Sequence, residues 1–566
     1  MDYKRLKSSL FALLLLLAVA LPAPAAEKSF HILMINDPHS YILPYYEAAE
    51  AGLPAGAVKA EAVGGLSRAL RLVADEKAAL KETSQSPIFL FEGGDIMLGK
   101  KGSLQNGHAE YGSLAVLGFD AGVLGNHDFD GGVRTLAKLG PELKFPVLAS
   151  NIIFSEPEID SYYPKIMVIR KGGVSVGVFG LVTPDLKAII SDPGGFDIEK
   201  DIFKKAAECV RELRAQGVDA VVALNHIGLD LDKKLAASVP GIDVIVGGHS
   251  HDAIKERFLV KNPQGSQTLI GQAGLDGRYA GRFDVTVDDG ALVAERSSWR
   301  LMPVLPGTAA EEKSEALGLE AQKKLAATLN IADPTMILAK SVDGRKESMR
   351  GGENALGDLA AEALRWNGQA RIGLINGGAL RIGRIVPPGP FTAGDMLDLM
   401  PFDSIPVRLL VSGAEIRRQL EAAASALKGR NDGYDPARRM STGEFLQVAG
   451  LRFDIDLGEP AAVVESRRMT ADGRRVKNIM VDSSRGWLPL EDGKIYSVAT
   501  LDYTAKYWNA LSSAPIGKPA LACFDDYLDK VLRRQAVVNA GRLMKETGCD
   551  AVKLEGGREV CDQIRA

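Results

Sequence analysis

Short apolar runs alternate with stretches of helical periodicity over roughly the first half of the chain. The runs lie at 30–35, 88–91, 121–124, 174–182, 220–224 and 244–246, with helical stretches such as 65–82 and 204–216 between them. Runs of this length predict strands that are buried on both faces. Their alternation with helices predicts a layered α/β domain around a mainly buried sheet.

The alternation fades near residue 303, where a charged, alanine-rich stretch at 305–330 begins. This stretch predicts one helix that connects two units. A second unit starts near Asp333 and contains GENALGDLAAEALRW, a helix pattern, and ARIGLINGGALR, a strand followed by a glycine turn. We therefore expect a signal segment at 1–26, a first domain at 27–303, a linker helix at 304–332, a second domain at 333–540 and a tail at 541–566.

The composition indicates a globular protein without affinity for nucleic acids. Of the 566 residues, 46% are hydrophobic and 25% are charged, and the net charge is −4. Because no basic stripe or block accompanies this balance, we expect no nucleic acid polymer as a partner. We expect a monomer that acts on a small molecule.

The N-terminus has the features of a secretory signal. Lys4, Arg5 and Lys7 precede an apolar run at 10–21, which is followed by PAPAAE. This order predicts cleavage near Ala25 or Ala26, and the run is shorter than the about 20 residues that span a bilayer. An uncleaved anchor is the alternative. We expect a periplasmic or secreted protein with no stable membrane insertion after cleavage.

The four cysteines contain no CxxC pair, so a cysteine zinc site or a redox motif is not expected. Cys549 and Cys561 bracket a short segment and, in an exported protein, could form a disulfide. Cys209 and Cys523 are expected to be buried thiols.

Histidines and carboxylates cluster where the strand-like runs end. Five of the seven histidines lie at these ends. The carboxyl ends of parallel strands converge on one crevice, so we expect the polar residues there to share one site. They are Asp37, His39, Asp95, Asn126, His127, His226, His249 and His251.

These residue types indicate a metal centre. Carboxylates, imidazoles and an amide suit divalent ions such as zinc, manganese, magnesium or calcium, and they do not determine which. The set is larger than one tetrahedral zinc needs, and it fits two ions that share a carboxylate. Two adjacent dications screen the charge of a phosphate and acidify water, which is what attack on phosphorus requires.

The motifs NDPH, GGD, GNHDFD, NH and GGHSH, in this order, resemble the calcineurin-like metallophosphoesterase domain. More narrowly, they resemble the secreted 5′-nucleotidases, which include UDP-sugar hydrolases and 2′,3′-cyclic nucleotide phosphodiesterases. The resemblance implies an N-terminal four-layer α/β/β/α sandwich, a helical linker and a C-terminal α/β substrate-binding domain. It implies two divalent metal ions, one held by Asp37, His39 and His251, the other by Asn126, His226 and His249, with Asp95 bridging.

The same resemblance assigns His127 and Asp130 to catalysis. A carboxylate bonded to one ring nitrogen fixes the tautomer of a histidine and favours its charged form. The charged ring can stabilise developing charge or protonate the leaving oxygen. Asp128 is interpreted as structural.

The second unit resembles the substrate-binding domain of this family through RGGENALGDLAAEAL, INGGALR, FTAGDMLDLMPFDS and STGEFLQVAGLRFDID. By position, Arg350, Asn376 and Arg381 would hold the phosphate and ribose of a substrate, and Phe445 and Tyr503 would clamp its base. Arginine suits phosphate because its planar fork forms two parallel hydrogen bonds. Two elements depart from the family pattern: AKYWNALSS stands where a GGDGY-like turn is expected, with Asn509 as a loose substitute, and MPFDS replaces a PFG turn.

We therefore predict an exported hydrolase of nucleotide phosphate esters or pyrophosphates, in which a metal-bridging hydroxide attacks phosphorus. The alternatives are a cyclic-nucleotide phosphodiesterase, a UDP-sugar hydrolase, a thiosulfate-ester-cleaving enzyme, and a nucleotide-binding surface protein without turnover. Both departures fall in specificity elements, so the sequence leaves the nucleotide undetermined.

Overall fold

The structure, a computed structural model, describes residues 27–528 and Lys530, except 55–56, 58–59, 84, 330–335, 403, 430–441, 466–467 and 484–485. The predicted signal segment, the tail at 541–566 and the pair Cys549 and Cys561 lie outside the described residues. Within these ranges, no helix combines the length and the apolar character needed to cross a membrane.

Two sheets form the first half of the fold. In the first, Lys28–Ile35 lies between the antiparallel Tyr279–Asp288 and the parallel Ile88–Glu92, and Tyr279–Asp288 also pairs with Ala291–Leu292 and Ser298–Pro303. A parallel pair, Gly122–Val123 and Val147–Leu148, continues this sheet through a bridge between Phe91 and Ala121. The second sheet has the order Phe258–Lys261, Gln267–Gly271, Val244–Val246, Ala220–His226, Val174–Val182 and Ile166–Lys171, and its four central strands are parallel.

Helices cover both sheets, and one hydrophobic core joins them. Leu66–Leu80 packs on Lys28–Ile35 through residues spaced three and four apart, such as Leu66, Ala69, Leu70 and Val73, which is the buried face of an amphipathic helix. Ile202–Ala215 and Leu229–Ser238 pack on the second sheet. This layering confirms the predicted α/β/β/α arrangement. The other helices of this half are Gly99–Ser103, His108–Leu117, Gly132–Leu139, Pro157–Tyr162 and Leu186–Ile189.

The helix Glu312–Leu329 lies within the predicted connector. Ala321 packs against the core of the first half, and Leu325 belongs to a core of the second half. The helix therefore contacts both units.

The second half is built on a five-stranded sheet. Its order is Leu446–Ala449, Ile372–Asn376, Ile495–Leu501, Pro406–Ser412 and Ser512–Pro515. The helices are Lys346–Met349, Ala355–Asn367, Ala393–Leu399, Gly413–Ala424, Asp502–Ala505 and Ala520–Tyr527. Asn354 caps Ala355–Asn367 by accepting the N–H groups of Leu356 and Gly357, so the ENALGD motif begins a helix as predicted.

Smaller elements complete the described chain. A three-stranded sheet contains Leu451–Ile455, Val476–Val481 and Leu488–Pro489. The two-stranded pairs are Tyr45–Ala48 with Ala60–Val63, Ile152–Phe154 with Phe196–Ile198, Met336–Leu338 with Gly389–Phe391, Val342–Asp343 with Ile385–Val386, and Val463–Glu465 with Arg468–Ala471. Cys209 and Cys523 are buried free thiols, as expected.

The two halves are in contact. The N–H of Leu53 donates to Ser341 Oγ at 3.0 Å. Arg384 is buried, pairs with Asp398 at 2.8 Å and lies 5.1 Å from the ring centre of Tyr45 in the first half. Polar and aromatic groups of both halves therefore share this interface.

Candidate active site

The side chains predicted as metal ligands lie together where the strands of the two N-terminal sheets end. One group of ligand atoms within 4.8 Å of one another comes from Asp37, His39, Asp95 and His251, and a second comes from Asp95, His226 and His249. Oδ1 of Asn126 lies 2.7 Å from Nδ1 of His249. Asp95 belongs to both groups, which is the position expected of a bridging ligand.

Hydrogen bonds from outside the two groups orient the ligand side chains. Nδ1 of His226 donates to the backbone oxygen of Gly93 at 2.8 Å. Nδ1 of His39 lies 3.1 Å from a carboxylate oxygen of Asp276. Such bonds fix the tautomer of a histidine and leave Nε2 as the atom with a free lone pair.

The surroundings of these Nε2 atoms show whether the predicted ligands suit a metal ion. In the described part of the chain, Nε2 of His39 and Nε2 of His226 are buried and have no hydrogen-bond partner. They face Asp95 Oδ2 at 3.5 and 3.1 Å. A lone pair opposite a carboxylate is repelled unless a positive charge lies between them, and a buried polar atom without a partner is costly. The donor set therefore fits divalent cations.

The pKa values of His226 and Asp95 also indicate that this position favours positive charge. Burial alone would lower the pKa of His226, but the charges of Asp95 and Asp37 outweigh burial and raise it to about 10. Burial alone would raise the pKa of Asp95, and His226 and His127 hold it well below its usual range. The carboxylates thus stabilise any cation at this position.

The backbone at the ligands is unusual. Twelve described residues other than glycine have positive φ, and five of them are predicted ligands: Asp37, His39, Asp95, His249 and His251. Such conformations cost free energy and persist where the surrounding structure enforces them, often at functional sites. Glycines leave the room for these turns, since a Cβ on Gly94 would lie 2.4 Å from His226 Nδ1 and one on Gly125 would lie 2.2 Å from the Asp95 nitrogen.

His127 and Asp130 form a hydrogen-bonded pair beside this centre. Nδ1 of His127 lies 2.9 Å from Asp130 Oδ2, which also accepts the N–H of Gly99 at 2.8 Å. The backbone N–H of His127 donates to Asp95 Oδ1 at 2.7 Å. The pair, which we call the dyad, is therefore fixed to the shared carboxylate.

Asp128 has a different environment from its neighbours. It is fully buried, and its carboxylate accepts the N–H groups of Met97 at 3.0 Å and Gly125 at 2.7 Å. These bonds tie the loop that carries the dyad to the loop that follows Asp95, which agrees with the structural interpretation of Asp128.

Two predicted arginines and one lysine gather on the C-terminal half. The guanidinium of Arg381 lies 5.2 Å from the ring centre of Phe402, which stacks on His127. Burial lowers the pKa of Arg381, while the charges of Asp130 and Asp95 oppose that shift. Burial and the like charge of Arg381 lower the pKa of Arg350 to about 9, and Arg350 Nε is buried without a hydrogen-bond partner among the described residues. We call Lys346, Arg350 and Arg381 the cation cluster.

Lys346 joins the cluster through its charge. The surrounding protein and the like charges of Arg350 and Arg381 lower its pKa, although its side chain keeps contact with solvent. These like charges favour an anion nearby, and the carboxylates of Glu347 and Glu444 balance them only in part.

The other residues predicted to bind substrate differ in their surroundings. Asn376 donates to the backbone oxygen of Gly443 and accepts from Thr504 Oγ1, both at 3.1 Å, so its amide connects two loops. The hydroxyl of Tyr503 donates to Glu444 at 3.1 Å. Phe445 is 5% exposed, and its backbone oxygen accepts the N–H of Gly377. Their roles toward substrate stay predictions.

Sequence reasoning missed three residues of the site. Asp276, which orients His39, follows the strand Gln267–Gly271, and counting that strand end with the others would have found it. Lys346 precedes Arg350 by one helical turn. Phe402, in the MPFDS turn, lies 5.8 Å from the ring of His127 in a stacked arrangement, with the Arg381 guanidinium 5.2 Å from its centre.

Comparison with known proteins agrees with this geometry. The 5′-nucleotidase of Diplobatis ommata is 27% identical over 88% of this chain and 85% of its own length. The trifunctional nucleotide phosphoesterase protein YfkN of Bacillus subtilis (strain 168) is 28% identical over 73% of this chain, which spans 29% of that protein. The 5′-nucleotidase precursor from Thermus thermophilus has a similar structure, with a TM-score of 0.71, 28% identity and coverage of 89% of this chain and 96% of that chain.

Two family profiles match in the predicted order. The calcineurin-like phosphoesterase profile matches residues 30–253, and the profile of the 5′-nucleotidase C-terminal domain matches residues 334–511. Together they cover more than half of the chain. The chain therefore belongs to the 5′-nucleotidase family of metal-dependent phosphoester hydrolases.

Proposed function

We propose that the chain hydrolyses phosphate esters or pyrophosphates of nucleotides where its two N-terminal sheets meet. The observation that carries the proposal is the position of Asp95. Its carboxylate is shared by both groups of ligand atoms, and its Oδ1 accepts the N–H of His127 at 2.7 Å. One side chain thereby fixes the dyad relative to the metal centre.

Seven residues would hold two divalent ions: Asp37, His39, Asp95, Asn126, His226, His249 and His251. Bound there, the ions would acidify water and screen the charge of the phosphate. That two ions bind, and that they are divalent, is part of the proposal.

The remaining residues would position the substrate and move a proton. Asp130 would accept the Nδ1–H of His127 and stabilise the imidazolium form of the ring, which would donate its Nε2–H to the leaving oxygen. The cation cluster would bind the phosphate from the opposite side. Phe402 would offer the edge of its ring to the base, because its faces lie against the imidazole of His127 and the guanidinium of Arg381.

The test is the release of hydrolysis products, separated by chromatography, by the purified full chain from nucleoside monophosphates, cyclic nucleotides, nucleotide sugars and thiosulfate esters. Each substrate is assayed with Mn²⁺, Zn²⁺ or Mg²⁺ and after removal of metal by EDTA. We expect release from at least one nucleotide, loss of release with EDTA and recovery on adding metal. Absence of release under every condition would leave the nucleotide-binding alternative, and release from thiosulfate esters alone would replace the substrate class.

We also propose that the protein is exported and acts as a monomer. The support for export is the basic, apolar and small-residue order of the first 26 residues. N-terminal sequencing of protein from the periplasm and the medium should find a start near residue 27, and an intact Met1 would contradict cleavage. Light scattering should give one chain per particle.

A further inference from the structure

A pocket of about 340 Å³ opens between the helix Gly413–Ala424, the strand Arg468–Ala471 and the segment after the helix Asp502–Ala505. Its volume is in the range of pockets that bind small molecules. We call it the basic pocket, because Arg418, Arg468 and Lys506 line it. Its described lining includes no residue of the metal centre, the dyad or the cation cluster.

The charge of the basic pocket is positive and only partly balanced. None of the described residues that line it is acidic. Arg418 pairs with Glu415 at 3.3 Å, whereas Arg468 and Lys506 make no ion pair within the described ranges. A concave surface with two uncompensated cations attracts an anion.

One buried carboxylate, which does not itself line the pocket, holds two of its lining segments together. Glu415 is 6% exposed and accepts hydrogen bonds from the side chain of Gln419 at 2.8 Å and from the backbone of Asn509 at 3.1 Å. Gln419 also donates to the backbone oxygen of Tyr507 at 3.2 Å. These bonds hold the segment at 507–509 against the helix, so the pocket is formed before a ligand binds and little ordering is required.

Aromatic side chains complete the wall. Trp508 is 8% exposed and belongs to a core of the second half, so its indole is held by packing, and Tyr507 lies beside it. A fixed aromatic surface next to cations suits a planar ring that carries an anionic group.

We propose that the basic pocket is a second ligand site, which binds a small anion carried on a planar ring, such as a nucleoside phosphate. Two sources share this chemistry: a separate nucleotide, or the distal half of a dinucleotide whose other half occupies the active site. Lys506 caps the short helix that contains Tyr503, which is predicted to contact the base of a substrate. This short segment therefore connects the basic pocket to the predicted substrate site along the chain.

The test of binding does not depend on turnover. Adenosine monophosphate is titrated into the EDTA-treated full chain by calorimetry, with adenosine and inorganic phosphate as partial ligands. The double variant Arg468→Ala/Lys506→Ala should weaken binding of adenosine monophosphate at least tenfold, and both partial ligands should bind more weakly than the nucleotide. Both replaced side chains are exposed, so we expect an unchanged melting temperature.

Two further variants distinguish binding at the basic pocket from a change in surface charge and from binding at the active site. Arg417→Ala/Lys494→Ala removes the same charge from exposed side chains of the same half, which pair with Asp492 and Glu491, and should bind like wild type. Arg381→Ala should also retain binding at the basic pocket. If Arg381→Ala abolishes binding, or if the double variant binds normally, the proposal is wrong.

The source of the ligand is then decided by kinetics, which rest on the proposed function. If the pocket binds the distal half of a substrate, the double variant should raise KM for a dinucleoside polyphosphate at least tenfold and leave KM for adenosine monophosphate unchanged. If it binds a separate nucleotide, neither KM changes while calorimetric binding is lost. A chain without any phosphatase activity would still give the binding result, so the two proposals fail separately.

Discussion

The metal centre and the substrate-facing surface of the second half are built differently. Predicted ligands of the metal centre stand at the ends of buried strands, and five of them have positive φ. Most residues of the opposite surface stand on short helices and turns, and Asn376, the last residue of the strand Ile372–Asn376, is an exception. Among the described residues of the second half, Gln369 and Asn478 are the non-glycine residues with positive φ, and neither belongs to that surface.

The two regions also differ in what they lack. The metal centre contains buried imidazole nitrogens that face carboxylates, so it requires cations. In the cation cluster, like charges lower the pKa values of Arg350 and Lys346, so this region favours an anion. A phosphate bound to metal ions would satisfy both. Under the proposed function, the first region would carry out the reaction and the second would select the substrate.

The largest effect is expected from Asp95→Asn. Removing the shared charge should lower kcat/KM at least ~1000-fold, which is about 4 kcal/mol of transition-state stabilisation, and should reduce bound metal. Phosphate release and metal content by mass spectrometry measure both. Full activity with two bound ions would show that Asp95 does not join the two groups.

Asp128→Asn is the matched control for that variant. This carboxylate is equally buried and only a few residues from Asn126, but it accepts backbone N–H groups rather than facing the histidines. We expect it to keep its metal and to lose stability, by about 1–3 kcal/mol, because one backbone donor is left without an acceptor.

The next largest effect is expected from His127→Ala. Loss of a proton donor should lower kcat between about 100- and 10,000-fold, with metal content unchanged. His31→Ala is the control, since His31 also pairs with a carboxylate, Asp284, at 2.6 Å but stands outside the site. A fall in bound metal on replacing His127 would move it from the dyad to the metal ligands.

Substitutions in the cation cluster should raise KM. Arg381→Ala and Arg350→Ala should each raise KM for a nucleotide about 10- to 100-fold, as expected for loss of charged hydrogen bonds of about 1.5–3 kcal/mol. Lys346→Ala should have a smaller effect in the same direction. Arg345→Ala, whose side chain is exposed and pairs with Asp343 at 2.7 Å, should behave as wild type. A loss confined to kcat would contradict a role in binding.

The grouping of the predicted metal ligands could be foreseen from the sequence because the ends of parallel strands meet. The motifs give both the residues and their shared location, and Asp276 was missed only because one strand end was not counted. The fold class followed from the same alternation of strands and helices.

The second half was harder to predict because its site depends on contact between distant segments. The sequence motifs predict Phe445 as a ring partner of the base and do not point to Phe402. Only the folded chain brings Phe402 to His127, more than 250 positions apart, while Phe445 is buried beneath the turn that begins at Gly377. Turns have no periodicity from which such contacts could be derived.

The smallest effect, and the sharpest test of the comparison, concerns these two rings. Phe402→Leu should raise KM for a nucleoside monophosphate about 2- to 10-fold, which corresponds to the about 0.5–1.5 kcal/mol of an aromatic pair. KM for ribose 5-phosphate should not change, because that substrate has no base. Phe445→Leu should lower the melting temperature and leave both KM values unchanged, since its ring is buried. If Phe445→Leu instead raises KM for the nucleotide, the sequence motif has identified the base-binding ring correctly. The substrate-facing surface would then be as predictable from motifs as the metal centre.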